Sequence, residues 1–214
     1  MAHILLTAGP TRAYLDDVRY LTNASSGRMA KALAEAALAR GHAITIVSGP
    51  VAIAYPRRAR VIPVVTTAEM LAASLAALPQ CDGVIAAAAP CDFEPQRRQP
   101  GKIPRTGAGL TVKLQATTDV IATLAAKSPR RQWFVAFALE PGADPRRAFA
   151  KIEAKRCDLI VVNDVTALDA ERTAVAVYDR SHARVGERRG TKRAVAGWLV
   201  RMIESVLCER KREP

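Results

Sequence analysis

Short apolar runs alternate with helix-forming segments along most of the chain, and this alternation limits the possible fold more than any other feature. The strand-like runs are residues 4–6, 43–47, 61–65, 83–89, 132–138 and 158–162. The segments between them, such as residues 28–40 and 67–78, are rich in strong helix formers. Strands that alternate with helices predict an α/β fold with a doubly wound, mainly parallel, Rossmann-like sheet. Pro63 favours an edge position for the third strand.

Two later segments break this alternation. Residues 90–109 contain Pro90, Pro95, Pro100 and Pro104, and no helix tolerates prolines at that spacing. We expect this segment to form a flap over a site, with a strand returning at residues 110–114. Residues 174–179 and 183–188 predict a late β-hairpin, followed by a last helix that ends near residue 208. We therefore expect one domain over residues 1–208 and a flexible basic tail over residues 209–214.

The connection between the first strand and the first helix carries a possible ligand site. It begins at Gly9 and ends in Ser25, Ser26 and Gly27, directly before the helix. The backbone N–H groups and the dipole of a helix start favour an anion, so a phosphate or carboxylate is expected there. The alternative is that Ser25 or Ser26 simply caps the helix. The connection lacks the G-x-G-x-x-G fingerprint and is longer than its tight turn, which argues against a standard NAD site.

Further candidates follow from the position of loops in such a sheet. Ligands bind at the carboxyl ends of parallel strands, and residues 9–12, 86–92, 137–140 and 163–164 are expected there. Asn23 offers an amide that can donate to a developing oxyanion. Lys102 lies on the expected flap, from which its ammonium group could close over phosphates.

Lys151 and Lys155 are four residues apart and share one face of a helix, which fits an anion site but fits a solvated surface better. Asp92 follows a strand and could hold a hydroxyl, an amine or a metal ion. Its neighbour Cys91 fits a small structural residue better than a nucleophile. The four cysteines are far apart in sequence and the three histidines do not cluster, so neither zinc nor a disulfide framework is expected.

The net charge of +12 attracts anions of many kinds, including nucleic acids. The basic residues are scattered, however, and aromatic residues make up only 5% of the chain, which provides few stacking surfaces for single strands. No apolar run approaches the roughly 20 residues of a membrane span, and no signal segment is recognisable. These features predict a cytoplasmic protein that binds neither nucleic acid nor membrane.

Several motifs, in order along nearly the whole chain, resemble phosphopantothenoylcysteine synthetase, the ligase of coenzyme A synthesis. The matching stretches are residues 6–12, 17–27, 47–50, 86–92, 101–103, 135–140 and 157–165. The resemblance implies that the carboxylate of 4′-phosphopantothenate attacks the α-phosphate of CTP, or of ATP, to give an acyl-nucleotide. The amine of L-cysteine then displaces the nucleotide. It also implies Mg²⁺ on the triphosphate and a homodimer.

The resemblance assigns roles to individual residues. Asn23 matches the asparagine that holds the acyl-nucleotide, and Lys102 matches the flap lysine of the second half-reaction. The implied nucleotide-binding residues are Gly9, Ser25, Ser26, Gly27, Ala86, Ala88, Ala89, Asp92, Thr118, Asp119, Val120, Ile121, Phe137, Lys151 and Lys155. No metal ligand is assigned. In many bacteria a flavin-dependent decarboxylase precedes this domain, so no FMN is expected here and a separate decarboxylase is a possible partner.

The chain departs from the family pattern in the flap, where Pro104 and Arg105 follow Ile103, and at residues 89–93 and 141. These departures put the rate of flap closure and the choice of nucleotide in doubt. Two alternatives remain open. A nicotinamide-dependent oxidoreductase predicts a glycine-rich fingerprint and a Tyr-x-x-x-Lys pair, and no tyrosine here has a lysine at that spacing. A basic nucleic-acid-binding protein predicts steeply salt-dependent binding.

Overall fold

A central sheet of eight strands organises the structure, a computed structural model that describes residues 1–105, 107, 109–128, 132–164 and 170–208. The first half contains β1 (His3–Ala8), β2 (Arg12–Tyr14), β3 (Tyr20–Thr22), α1 (Arg28–Ala39), β4 (Ala43–Ser48), β5 (Arg60–Pro63), α2 (Thr67–Ala77), β6 (Gly83–Ala86) and β7 (Phe93–Pro95). The second half contains β8 (Leu114–Ala116), α3 (Val120–Lys127), β9 (Trp133–Leu139), α4 (Pro145–Ala154), β10 (Leu159–Asn163), β11 (Arg172–Asp179), β12 (Arg184–Thr191) and α5 (Lys192–Ile203).

The order of the strands is β12-β11-β10-β9-β6-β1-β4-β5. The six strands from β10 to β5 are parallel, whereas β11 and β12 form an antiparallel hairpin on β10. Numbered among themselves, the parallel strands have the 3-2-1-4-5-6 order of a Rossmann sheet, which places the topological switch point between β1 and β6. The predicted fold class and late hairpin are confirmed, and Pro63 lies on an edge strand as expected.

Helices cover both faces of the sheet. Ile4 and Leu6 of β1 pack with Leu33 of α1 and Leu199 of α5 on one face. Leu5, whose side chain points the opposite way, packs against the other face with residues of α2, α3 and α4. The parallel strands are apolar on both sides for this reason, and they appear in the sequence as continuous apolar runs.

The first and last helices pack against each other. His42, just after α1, donates from Nε2 to Glu204 Oε1 at 2.7 Å, and its Nδ1 accepts from the N–H of Ala2 at 3.1 Å. Glu204 also pairs with Arg40. Because the N–H of Ala2 needs an unprotonated Nδ1, the neutral ring carries its proton on Nε2 and donates to the carboxylate.

Several element boundaries differ from the predicted ones. The strand that returns from the flap is Leu114–Ala116 rather than residues 110–114, and it pairs with β7 inside the predicted irregular segment. Thr66, not Thr67, caps α2, because its side chain accepts from the N–H of Glu69. The last helix changes to a π-helical turn at Glu204–Cys208. The predicted tail, residues 209–214, lies outside the described residues.

No helix in the described part of the chain combines the length and apolar character needed to cross a membrane.

Candidate functional site

The carboxyl ends of β1 and β6 form the centre of the site. Gly9 follows β1 with a φ of +69°, and its carbonyl accepts from the N–H of Ala89 at 2.9 Å. A Cβ on Gly9 would lie 2.8 Å from Val51 Cγ1, so both the backbone angle and the space favour glycine. Pro10 and Ala89 continue the parallel pairing beyond the strands. This contact fixes the two walls of the crevice at the switch point.

A first cavity of about 200 Å³ opens on the β6 side of this crevice. Its lining includes nine of the predicted nucleotide-binding residues: Ala86, Ala88, Asp92, Thr118, Asp119, Val120, Ile121, Phe137 and Lys155. Apolar side chains of α3 and β9 form its floor, and Asp92, Asp119 and Lys155 provide its charged groups. A mixed lining of this kind suits the flat, partly apolar base and the ribose of a nucleotide.

The start of α3, at the first cavity, is capped by a side chain of the chain itself. Asp119 Oδ1 accepts from the N–H of Ala122 at 3.0 Å. Its other oxygen lies 3.0 Å from Lys155 Nζ. The carboxylate therefore already occupies the place that an anion would take at this helix start, and it holds the Lys155 ammonium at the cavity wall.

A second cavity of about 140 Å³ lies at the start of α1. Ser25, Ser26 and Gly27 line it, as do Ala88, Ala89 and Phe137, so it shares a wall with the first cavity. Gly27 is the N-cap residue, with a φ of +71°, and no side chain among the described residues caps this helix. The alternative that Ser25 or Ser26 caps α1 is therefore wrong. An uncapped helix start that faces a cavity is well suited to a phosphate.

Asn23 is hydrogen-bonded to one residue from the lining of each of these two cavities. Its Nδ2 donates to the carbonyl of Pro90 at 2.8 Å and approaches that of Ala89 at 3.3 Å. Pro90 lines the first cavity and Ala89 lines the second. Asn23 also lines a third, open cavity of about 430 Å³ on the other side, together with Arg12 and Arg28. The Arg12 guanidinium stacks over the ring of Tyr20 at 4.3 Å.

The two predicted lysines of α4 have different surroundings. Lys155 lines the first cavity, as described above. Lys151 pairs with Glu140, whose side chain is 3% exposed, and its own side chain is 42% exposed. The sequence places both lysines on the same face of one helix and does not reveal this difference, because their partners lie on separate elements.

Lys102 lies on the flap and lines neither the first nor the second cavity. Its side chain is exposed. The neighbouring residues Gly101 and Ile103 are bonded to the loop formed by residues 15–19. In this arrangement the lysine is held outside the crevice.

Asp92 is exposed at the rim of the first cavity. Within the described ranges, no group of three or more His, Cys, Asp or Glu side chains is placed to hold a metal ion. Cys91 is buried, so its thiol is not an exposed nucleophile. Its Sγ lies 3.3 Å from the carbonyl oxygen of Thr11. Its N–H donates to Thr11 Oγ1 at 2.8 Å, so the residue ties the two walls together.

The structure adds residues that the sequence did not indicate. Thr173 of β11 and Lys192 of α5 line the second cavity beside Asn163. They reach it because β11 pairs antiparallel with β10, with Val175 opposite Asn163. The sequence predicts the hairpin but not the strand beside which it lies, so it carries no signal for these two positions.

A sheet of Rossmann order, with adjoining cavities and an uncapped helix start at its switch point, defines a Rossmann-like domain of the α/β class. More specifically, the family model of the DNA/pantothenate metabolism flavoprotein C-terminal domain matches residues 1–207, and the chain belongs to this family. The resemblance inferred from the motifs is confirmed at this level.

Individual relatives agree with this assignment. The coenzyme A biosynthesis bifunctional protein CoaBC of Bacillus subtilis (strain 168) is 41% identical over 166 residues, which are 77% of this chain and 41% of that protein. A cysteine/cysteine sulfinic acid decarboxylase from an unknown prokaryotic organism is 36% identical over 205 residues, 94% of this chain and 57% of that protein. The chain thus spans about half the length of these relatives.

A solved structure, the crystal structure of the C-terminal domain of CoaBC, superposes with a TM-score of 0.82 and 31% identity. The match covers 97% of this chain and 96% of that one. The fold is therefore that of the C-terminal domain of CoaBC.

Proposed function

We propose that the protein joins 4′-phosphopantothenate to L-cysteine through an acyl-nucleotide, as a ligase of coenzyme A biosynthesis. Membership of the family and the name of the bifunctional relative support this proposal. The structural observation that carries it is the position of Asn23, which lines the third cavity and donates to the carbonyls of Ala89 and Pro90, residues that line the second and the first cavity. A hydrogen-bond donor at the meeting point of two anionic substrates stabilises their charge, whereas a carboxylate there would repel both.

The nucleotide, CTP or ATP, would occupy the first and second cavities. The phosphates fit the uncapped start of α1, at Ser25, Ser26 and Gly27. The base and ribose fit the first cavity, where the start of α3 is closed to anions by Asp119. Lys155 adds a positive charge at the wall of the first cavity, where the ribose of the nucleotide would join its phosphates. Ala88 and Phe137 provide the shared wall, Ala86 lines the first cavity and Ala89 the second, and Gly9 allows the backbone to approach.

The third cavity would hold 4′-phosphopantothenate. Arg12 and Arg28 line it and provide charge for the phosphate of this substrate, while its carboxylate lies toward Asn23. The open side of the cavity suits an extended, flexible substrate that later receives cysteine.

Mg²⁺ would be bound mainly by the triphosphate, with Asp92, which is exposed and lines the first cavity, as a candidate carboxylate. Magnesium commonly takes one or two carboxylates plus substrate phosphates rather than an all-protein cage, so the absence of a cluster of ligands in the described residues fits this arrangement. The ion would neutralise the phosphates. The residues of the chain bind and orient the substrates and exclude water from the mixed anhydride.

In the first half-reaction, Asn23 would donate from Nδ2 to an oxygen of the reacting acyl or phosphoryl group, in exchange for one of its present carbonyl partners. In the second, the side chain of Lys102 would reach from the flap toward the acyl-nucleotide. Its positive charge would stabilise the negative charge that develops as the amine of cysteine attacks.

We also propose a homodimer. The β2–β3 and β7–β8 ribbons contact each other through β2 and β7. Large apolar side chains on or beside them are exposed: Val18, Tyr20, Leu21, Phe93, Leu110, Val112 and Leu114. Exposed apolar surface is typical of protein interfaces. Sedimentation should show a dimer that Phe93→Glu converts to monomer, and a monomeric wild type would exclude this interface.

Release of pyrophosphate tests the proposed reaction. With CTP and 4′-phosphopantothenate together the purified protein should release pyrophosphate, whereas CTP alone should give none. Parallel assays with ATP decide the preferred nucleotide. If neither nucleotide supports release, the proposed function is wrong.

Substitution of Asn23 tests its assigned position. Asn23→Asp should abolish the acyl-nucleotide, since a carboxylate replaces the donor, while the circular dichroism spectrum stays unchanged. Gln80→Glu makes the same chemical change on an exposed helix turn and should have no effect. Equal activity of Asn23→Asp and the wild type would remove Asn23 from the reaction.

A further inference from the structure

The residue before Lys102 is held on both of its backbone polar groups. The N–H of Gly101 donates to Asp17 Oδ2 at 2.8 Å, and the carbonyl of Gly101 accepts from the N–H of Asp17 at 3.0 Å. Asp17 Oδ1 also accepts from Nη2 of Arg98 at 2.8 Å, and Arg98 precedes Gly101 on the flap. A residue bonded in this way has both of its flanking peptide units fixed and little freedom to rotate.

The residue after Lys102 is held in the same manner. The N–H of Ile103 donates to Asp16 Oδ2 at 3.1 Å, and its carbonyl accepts from Arg19 Nη1 at 3.0 Å. Residues 15–19 therefore grip the flap immediately on either side of one lysine. We call this set of four backbone contacts the clamp.

The part of the clamp that lies in residues 15–19 is itself firmly built. Asp16 is fully buried, and its carboxylate accepts from the N–H groups of Val18 (2.8 Å) and Arg19 (2.6 Å) and from Arg19 Nη1 (2.7 Å), besides Ile103. Burial alone would raise the pKa of Asp16, but these hydrogen bonds lower it to about 2. The group is thus a charged acceptor whose hydrogen-bonding sites are occupied.

The side chain of Lys102 is left outside this network. It is exposed, and the described residues include no hydrogen-bond or ion-pair partner for its ammonium group. Its backbone is fixed while its four-carbon chain can turn. A side chain that must reach a bound intermediate loses less conformational entropy on contact when its backbone is already fixed, so the contact is formed at a lower cost in free energy.

We propose that Asp16 and Asp17 are positioning residues that hold the backbone of Lys102 so that its ammonium group can reach the acyl-nucleotide. The catalytic part of this inference rests on the proposed ligase function. The clamp itself can be tested on the protein alone.

Trypsin provides the first test, since Lys102 is a cleavage site inside the clamp. Asp17→Ala removes the contacts of the carboxylate with Gly101 and Arg98, and its half-exposed position makes misfolding improbable. Cleavage after Lys102 should accelerate about tenfold, the change produced by losing about 1.4 kcal/mol of local protection. Asp144→Ala is the matched control. Asp144 likewise accepts from one backbone N–H and one arginine, but it lies at the start of α4.

The two half-reactions provide the second test. Asp17→Ala should slow cysteine-dependent amide formation about tenfold, with pyrophosphate release within about twofold of wild type. A general structural defect would slow both steps. Asp17→Asn retains an oxygen for the N–H of Gly101, so it should recover most of the lost rate and most of the resistance to trypsin.

Unchanged trypsin cleavage in Asp17→Ala would overturn the clamp. Faster cleavage with equal losses in both half-reactions, or with none, would overturn the positioning role. If the wild type releases no pyrophosphate, the proposed function and the catalytic part of this inference both fail, while the trypsin comparison still decides whether the clamp exists.

Discussion

The pair formed by Lys151 and Glu140 gives the sharpest prediction about stability. The Glu140 side chain is 3% exposed and the Lys151 side chain is 42% exposed, so the pair is intermediate between a buried and a surface ion pair. Breaking a buried pair costs about 3–5 kcal/mol, and an exposed one contributes at most about 1 kcal/mol. We therefore expect Lys151→Met to cost about 2 kcal/mol, because it leaves a buried carboxylate without its partner.

For a chain of this size, about 1 kcal/mol shifts Tm by about 2–4 °C, so Lys151→Met should melt about 4–8 °C below wild type. Lys155→Met is the matched control. Its partner Asp119 is 43% exposed, so its Tm should fall by no more than about 3 °C. Replacing both members of the buried pair with methionine should restore most of the lost stability, because packed apolar side chains often replace such pairs without loss.

Calorimetry and nucleotide titration together check this reasoning. Lys155→Met should weaken CTP binding more than Lys151→Met when both are measured well below their melting temperatures. The reasoning is refuted if both variants melt at the same temperature, or if the double methionine variant is no more stable than Lys151→Met alone.

Three other predictions concern the frame around the site. In Gly49→Ala the new Cβ would lie 1.6 Å from the carbonyl oxygen of Pro10, so the variant should lose about 3 kcal/mol or fail to fold. In Gly197→Ala, on α5, the new Cβ would meet only Arg201 Nη1, at 3.8 Å, so this variant should instead gain about 0.5–1 kcal/mol by urea unfolding. The pKa of Asp16 is lowered from 3.8 to about 2, so its contribution to stability is complete above pH 4 and is lost as the pH falls toward 2; the difference in urea midpoint between wild type and Asp16→Asn should shrink over that range. Burial raises the pKa of the Cys157 thiol to about 12, so iodoacetamide at pH 8 should modify it only after unfolding, and rapid labelling of the native protein would contradict its buried position.

The sequence predicts the layers of this fold well because its signals are local. Apolar runs and helix-forming segments reflect periodicities within one element. Pro63 indicates an edge position because it lacks the N–H group that a central strand would need. Boundaries are less predictable, as at Thr66, because neighbouring threonines can each accept the same helix N–H.

The surroundings of the site residues depend on contacts between distant elements. Nothing in the sequence distinguishes Lys151 from Lys155, yet Lys151 pairs with Glu140 and Lys155 pairs with Asp119. Thr173 and Lys192 join the second cavity only through the antiparallel addition of β11 to β10. The clamp on Lys102 joins residues more than 80 positions apart, and no local pattern records such a pairing.

The contact between α1 and α5 has a consequence for the order of folding. During synthesis the apolar face of α1 must wait for a partner that lies about 160 residues later, since Arg40 and His42 meet Glu204. Until then one side of the growing sheet stays uncovered, and loop-closure entropy delays the final docking. The ribosome-bound chain therefore exposes an apolar, aggregation-prone surface for most of its synthesis, and chaperones are expected to bind the chain during this period.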